Sequence, residues 1–192
     1  MSPTQAPTHR PIERHPDVAH VLLAPEEIAS QVQRLAESIC QDYAARDPLL
    51  VGVLKGVFPF LADLSRAITV PHTVDFLAIC PFARRGECSS VRILKDLDEP
   101  AEGRHVILVE DIVDTGLTLH FLTHWIQERN PASCTICTLL DRPRRRLVKL
   151  PVAYRGFKIP DHFIVGYGLD YQERYRNLPY IGILRPQIYL PD

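Results

Sequence analysis

Val106–Leu119 reads VILVEDIVDTGLTL. Four apolar residues, Val106–Val109, are followed within five positions by three carboxylates, Glu110, Asp111 and Asp114, and then by Thr115-Gly116-Leu117-Thr118. Carboxylates repel one another and are costly to desolvate, so three of them at the end of an apolar run need a reason. The plain reading is a strand that ends in a polar turn and caps a helix, a role Asp fills well. The alternative is a site for a phosphate, a metal or a hydroxylated ligand. Val106–Val109 is continuous enough to be a strand buried on both faces. Leu117–Arg129 has helical spacing and stops before Asn130-Pro131. Strand, tight loop and helix in that order put the loop beyond the carboxyl end of the strand, where open α/β sheets bind ligands.

The rest of the chain repeats the alternation. PEEIASQVQRLAESICQDYAA places apolar residues at Ile28, Val32, Leu35, Ile39 and Tyr43, the spacing of an amphipathic helix, with Pro25 in its first turn and Glu26 and Glu27 at its positive end. PLLVGVL is another buried strand, FPFLADLSRAI a helix, and HTVDFLAI, VRILKDL and SCTICTLL are strands. The economical architecture is α/β: a single domain built on a mostly parallel twisted sheet flanked by helices. After Asp141 the pattern breaks into short pieces between prolines.

Composition narrows the function. The 192 residues are 46% hydrophobic and 23% charged, with a formal net charge of −1. That is a globular chain with no global field to recruit nucleic acid or a membrane surface. No apolar run reaches the ~20 residues of a membrane span. Residues 1–20 are polar and Pro-rich, lack the apolar centre of a signal peptide, and read as a loose arm. Five scattered cysteines suggest reduced thiols in a cytoplasm. Cys134 and Cys137 form a C-x-x-C, but within a strand an i,i+3 pair points to opposite faces, so neither metal nor redox use is expected of it.

The loop Asp114–Thr118 has the makings of a phosphate cradle. Its backbone N–H groups and a helix N-terminus supply positive potential, two Thr hydroxyls add donors, and Gly116 lets the chain turn close to a ligand. It is not a GxxxxGK[ST] loop, which argues against ATP hydrolysis. Glu110 and Asp111 can accept hydrogen bonds from a ribose diol, or help hold a Mg²⁺ whose other ligands are substrate oxygens. Together they suggest a ribose 5-phosphate subsite.

On these residues the chain resembles the type I phosphoribosyltransferases, and most closely the hypoxanthine–guanine phosphoribosyltransferases. VILVEDIVDTGLTL is similar to the family's phosphoribosyl-diphosphate motif. LLVGVLKGVFPFLADLSRAI resembles its pyrophosphate loop and following helix, SSVRILKDLD the strand after its flexible loop, and FIVGYGLDYQERYRNLPYIGIL its purine-binding segment. The resemblance runs from about Leu22 to Tyr189. It implies a core over about 45–142, with a hood built from about 21–44 and 143–192. It implies Mg²⁺ as cofactor, phosphoribosyl diphosphate and a purine base as ligands, a cytoplasmic enzyme of purine salvage making IMP and GMP, and a homodimer or homotetramer.

Residue by residue, the resemblance makes Asp114 the general acid/base near purine N7. Thr115, Gly116, Leu117 and Thr118 become the 5′-phosphate loop, and Glu110 and Asp111 the ribose-binding acids and metal ligands. Leu54, Lys55 and Gly56 become the pyrophosphate loop, whose first peptide bond can be cis in the family. By the same resemblance Asp170 would help hold a second Mg²⁺ and Arg176 would contact pyrophosphate. Phe163 would stack on the purine and Ile164 would read the base edge through its backbone. Without the resemblance, Phe163 and Ile164 read as core residues, Arg176 as one half of a surface salt bridge, and the Arg-rich run 142–146 as solvated surface.

Two departures stand out. Arg142 replaces the family's usual Lys, which donates to the purine 6-oxo group. Arg is also purely a donor, but its fork is longer and planar. In the flexible loop, Pro81-Phe82 replaces a Ser-Tyr pair, and Arg84 and Arg85 add charge that could reach pyrophosphate. These departures keep two other readings open: the same chemistry on xanthine or another 6-oxopurine, or a non-catalytic sensor of phosphoribosyl diphosphate.

Overall fold

The computed structural model describes residues 13–80 and 92–190. The apolar run of the opening motif belongs to the central strand β5 (His105–Val113), in which Val106–Val109 are fully buried. Six strands form the main sheet: β2 (Leu49–Leu54), β3 (Thr73–Cys80), β4 (Arg92–Lys95), β5, β6 (Ser133–Asp141) and β7 (Val152–Lys158). Their order is β4-β3-β2-β5-β6-β7, parallel throughout except for β4.

Period-two alternation sends the two sides of each strand into different cores. Leu50, Ile107 and Val109 face α1 (Pro25–Asp42) and α2 (Phe58–Ala67), packing on Val32, Leu35, Ile39, Phe60 and Leu64. Leu49, Val51, Val106 and Leu108 face α3 (Leu117–Gln127), packing on Leu119, Leu122 and Ile126. Each such side chain contributes about 1.5–3 kcal/mol of burial. Cys137 lies in the first of these cores and Cys134 packs against the second, on opposite faces of β6.

Strand order fixes where a ligand can enter. From β2 the chain moves outward to β3 on one side, and from β5 outward to β6 on the other. The crevice between β2 and β5 is therefore a topological switch point. Pairing there ends at Gly52 opposite Val109, whereas β5 continues beside β6 as far as Val113 opposite Asp141. Glu110 and Asp111 thus lie within the strand rather than just beyond it, on a stretch that has lost its β2 neighbour.

A second, three-stranded antiparallel sheet is the hood: β1 (Val18–Leu23), β9 (Ile181–Leu184) and β8 (Ile164–Val165), around Val18, Val165, Tyr180 and Leu184. Its boundaries differ from those expected. Within 21–44, α1 packs on α2 over the main sheet, and within 143–192, β7 is a strand of that sheet. The arm expected over 1–20 is tied down from its described part onward. The His15 N–H donates to Tyr180 Oη at 2.8 Å, the Tyr175 hydroxyl donates to Asp17 at 2.7 Å, and Val18 begins β1. Pro81, Phe82, Arg84 and Arg85 lie outside the described residues.

Candidate functional site

A cleft of about 390 Å³ opens over the carboxyl ends of β2 and β5. Among its lining residues are Lys55, Gly56, Asp111, Asp114, Arg142, Phe163, Ile164, Asp170 and Arg176, all singled out in the sequence, together with Ile112, Arg145 and Leu169, which were not.

Asp111 forms the floor. Its Oδ1 accepts the Ile112 N–H at 2.7 Å. Burial pushes its carboxyl up to about 6, while that hydrogen bond and the charge of Arg176 pull the other way. Glu110 does not line the cleft. Burial holds its carboxyl well above the usual range, the neighbouring Asp111 charge adds to the effect, and Oε2 has no hydrogen-bond partner in the structure. Leu54 ends β2, and its peptide bond to Lys55 is cis. Gly56 passes so close to Asp111 that a Cβ there would overlap Oδ2 and lie 3.0 Å from Cγ.

The loop Asp114–Thr118 is braced from behind by the segment after β6. Gly116, at φ 85°, is the residue from which α3 starts, and Leu117 and Thr118 form the first turn. The N-cap is therefore Gly116 and not Asp114. Arg142 N–H donates to Val113 O at 2.9 Å and Leu147 N–H to Thr115 O at 2.9 Å. Arg146 Nε donates to Asp114 O at 3.2 Å, while its other end pairs with the buried Asp141. Asp141 also takes Arg155 at 2.6 Å, so two guanidiniums share one carboxylate behind the loop. Thr115, Gly116, Leu117 and Thr118 stand beside the cleft rather than among its lining residues.

The far wall carries the cationic and aromatic groups. Arg142, only 6% exposed, donates from Nη2 to His162 O at 2.7 Å and places Nη1 3.6 Å from Asp114 Oδ2. Arg145 Nη1 lies 3.2 Å from the same oxygen. Asp114 Oδ1 and Arg142 Nε are buried without partners, so the cleft keeps an acceptor and a donor unused. Phe163 is 38% exposed, stacks on Tyr189 at 4.8 Å and meets the edge of Tyr171 at 5.4 Å. Ile164 is buried at the start of β8. Arg176 donates from Nη1 to Gly168 O at 2.8 Å and pairs through Nη2 with Asp170 at 2.9 Å.

Sequence reasoning missed Arg145 and Glu173. Arg145 sat in a run read as solvated surface. Glu173 pairs with Lys55 and Arg176, which hold its carboxyl below the usual range. The only signal for Glu173 was its place three residues after Asp170. Among the described residues, no three His, Cys, Asp or Glu side chains come together in a way that could hold a metal by themselves.

A model of the phosphoribosyl transferase domain matches residues 20–172. The hypoxanthine-guanine phosphoribosyltransferase of Bacillus subtilis is 44% identical over 174 residues, covering 90% of this chain and 97% of its own. That of Mycobacterium tuberculosis is 47% identical over 180 residues, covering 90% and 89%. The chain also matches the bifunctional protein TilS/HprT of Listeria monocytogenes at 45% identity, where it spans only 27% of that longer protein. Among solved structures, a hypoxanthine phosphoribosyltransferase from Staphylococcus aureus superposes with a TM-score of 0.87 at 41% identity, over 91% of this chain and 96% of that one.

Proposed function

The chain belongs to the phosphoribosyl transferase family, and from that premise we propose that it converts hypoxanthine and guanine, with phosphoribosyl diphosphate, to IMP and GMP with release of pyrophosphate, a purine-salvage reaction. The observation that carries this reading is the convergence in one cleft of Asp114, Arg142, Phe163, Asp111, Lys55 and Arg176. The purine subsite lies between Phe163, which offers a ring face, and Arg142, which offers only donors. A donor-only partner accepts a 6-oxo group and leaves a 6-amino group unpaired, so adenine is disfavoured. Asp114 sits between the base wall and the sugar, where it takes the N7 proton as the bond from purine to anomeric carbon forms and the bond to pyrophosphate breaks. The loop Thr115–Thr118 takes the 5′-phosphate, and Lys55 and Arg176 neutralise the leaving pyrophosphate.

The donor set fits Mg²⁺ shared with the substrate. Asp111 and Asp170 are both carboxylates of the cleft, close enough that the charge of Asp170 raises the Asp111 carboxyl, and the neighbouring Glu110 has a buried oxygen without a partner. Bound there with substrate oxygens completing its shell, Mg²⁺ would offset charge on the diphosphate. A cytoplasmic homodimer or homotetramer belongs to the same reading. Among the described residues, no helix is long and apolar enough to cross a membrane.

Arg145 favours one further acceptor. A second guanidinium beside Arg142 offers donors to an additional oxo group, as xanthine carries. The test is nucleotide formation from phosphoribosyl diphosphate and Mg²⁺ with hypoxanthine, guanine, xanthine and adenine in separate reactions. Turnover of hypoxanthine or guanine is expected, and turnover confined to xanthine transfers the reading to that base. No turnover with any base overturns the assignment.

A further inference from the structure

Two loops meet at the mouth of the cleft. The chain after β2 carries Lys55 and Gly56, and the chain between β8 and β9 carries Gly168, Asp170, Glu173 and Arg176. They touch backbone to backbone: a Cβ on Gly168 would overlap Gly56 O and lie 2.9 Å from Pro59 Cδ. Gln172 and Glu173 both have positive φ, at 51° and 63°, and the Glu173 N–H donates to Asp170 Oδ2 at 2.9 Å. That turn aims the Glu173 side chain across the junction. Its Oε1 lies 3.3 Å from Lys55 Nζ and its Oε2 3.1 Å from Arg176 Nη2.

One carboxylate thus divides its two oxygens between the two cations assigned to pyrophosphate. We propose that Glu173 is a positioning residue that stands in for the pyrophosphate anion, holding Lys55 and Arg176 in place while the subsite is empty and giving them up when a diphosphate arrives. The inference rests on the phosphoribosyltransferase reading of the cleft. Charge and exposure favour exchange over a permanent bridge. Lys55 and Glu173 are 69% and 50% exposed, so the pair is solvated and weak, and a multiply charged diphosphate outcompetes a single carboxylate for both cations. Arg176 keeps its bond to Gly168 O and its pairing with Asp170, so it is not set loose when Glu173 leaves.

Competition and simple bracing predict opposite signs. If Glu173 competes with the diphosphate, neutralising it strengthens pyrophosphate binding and makes product harder to release. If it only braces the two loops, neutralising it weakens binding. The experiment is calorimetric titration of inorganic pyrophosphate, in the presence of Mg²⁺, into the wild-type chain, Glu173→Gln and Glu173→Asp. Product inhibition by pyrophosphate is measured in parallel.

The expected result is a Kd for pyrophosphate about three- to tenfold lower in Glu173→Gln, as loss of two exposed pairs allows, with a matching fall in the inhibition constant. Glu173→Asp keeps the charge but is too short to reach both cations, and should fall between the two. An unchanged or raised Kd in Glu173→Gln overturns the proposal, as does absence of pyrophosphate binding to all three proteins. Because calorimetry needs no turnover, a wild-type chain inactive on every purine would sink the functional reading while the sign of the Glu173→Gln effect still decided this one.

Discussion

Gly56→Ala tests whether the floor of the cleft is as tightly specified as the geometry implies. The new methyl would overlap Asp111 Oδ2 and lie 3.0 Å from its Cγ. Carbon–carbon contacts settle at about 3.5–4.0 Å, so the carboxyl carbon must retreat by about 0.5–1 Å, and Oδ2, which is nearer, by more. Asp111 is held by the Ile112 N–H on its other oxygen, so it cannot retreat without loosening that bond. In the proposed reaction Asp111 orders the ribose and the metal, and a 1 Å misplacement of such a group costs about 10²-fold. The expected fall in kcat/KM for phosphoribosyl diphosphate is therefore about 10²-fold, or about 2.7 kcal/mol of transition-state stabilisation. Overpacking of this kind costs about 1–3 kcal/mol of stability, which for a chain of this size lowers Tm by about 2–12 °C. Steady-state kinetics and scanning calorimetry on the same preparation read both. Wild-type kcat/KM with unchanged Tm would refute the steric argument. A lowered Tm with intact kcat/KM would keep the sterics and remove Asp111 from the chemistry.

Asp114→Asn should lower kcat by about 10²–10⁴-fold while leaving phosphoribosyl diphosphate binding within a few fold, and unchanged turnover would remove Asp114 as the base. Asp141→Asn takes the shared charge from Arg146 and Arg155 and should cost up to about 3 kcal/mol, read by denaturant titration. Folding raises the Asp111 carboxyl from 3.8 to about 6, so between those values the folded protein keeps a proton that the unfolded chain has lost. The contribution of Asp111 to the stability of the free protein is then fully present below about pH 3.8 and is lost as pH rises to about 6, by at most roughly 3 kcal/mol. Asp111→Asn should flatten that slope and raise Tm at neutral pH even as it removes activity, and a slope unchanged in the variant would contradict the assignment. Arg142→Lys loses the planar fork that spans His162 O and Asp114, and should shift the KM for hypoxanthine by about tenfold or less while still excluding adenine.

The central strand, the tight turn into α3 and the cleft position were legible because each is local. Val106–Val109 announces a buried strand by its apolar run, and Asp114–Thr118 follows within a few residues. The hood boundary was not legible, because membership of a sheet is decided by pairing and not by position along the chain. VAYRGFK after Pro151 alternates weakly, and only its parallel pairing to β6 makes it a strand of the main sheet. β8 has two residues, too few for any period to register. Arg145 and Glu173 were missed for the same reason. Their importance lies in what they meet, Asp114 in one case and Lys55 in the other, and those meetings require segments that are distant in sequence to fold together.

The crowding of acids on β5 now has a physical account. A strand that lost β2 as its neighbour at Val109 would most stably end there or turn apolar. It continues instead with Glu110 and Asp111, whose carboxyls are both raised by burial and which destabilise the free protein at neutral pH. Basic groups gather around the cleft without cancelling this strain. Arg142 and Arg145 reach Asp114, Arg176 reaches Asp170, and Lys55 reaches Glu173, while Glu110 Oε2 and Asp114 Oδ1 remain without partners. Acids left short of partners on β5 and in the loop after it, with cations paired to carboxylates across the cleft, form a surface whose best partner carries hydroxyls and a cation at one end and phosphates at the other. In the proposed reaction phosphoribosyl diphosphate with Mg²⁺ would be such a partner, and the stability withheld from the free protein would become differential affinity for it.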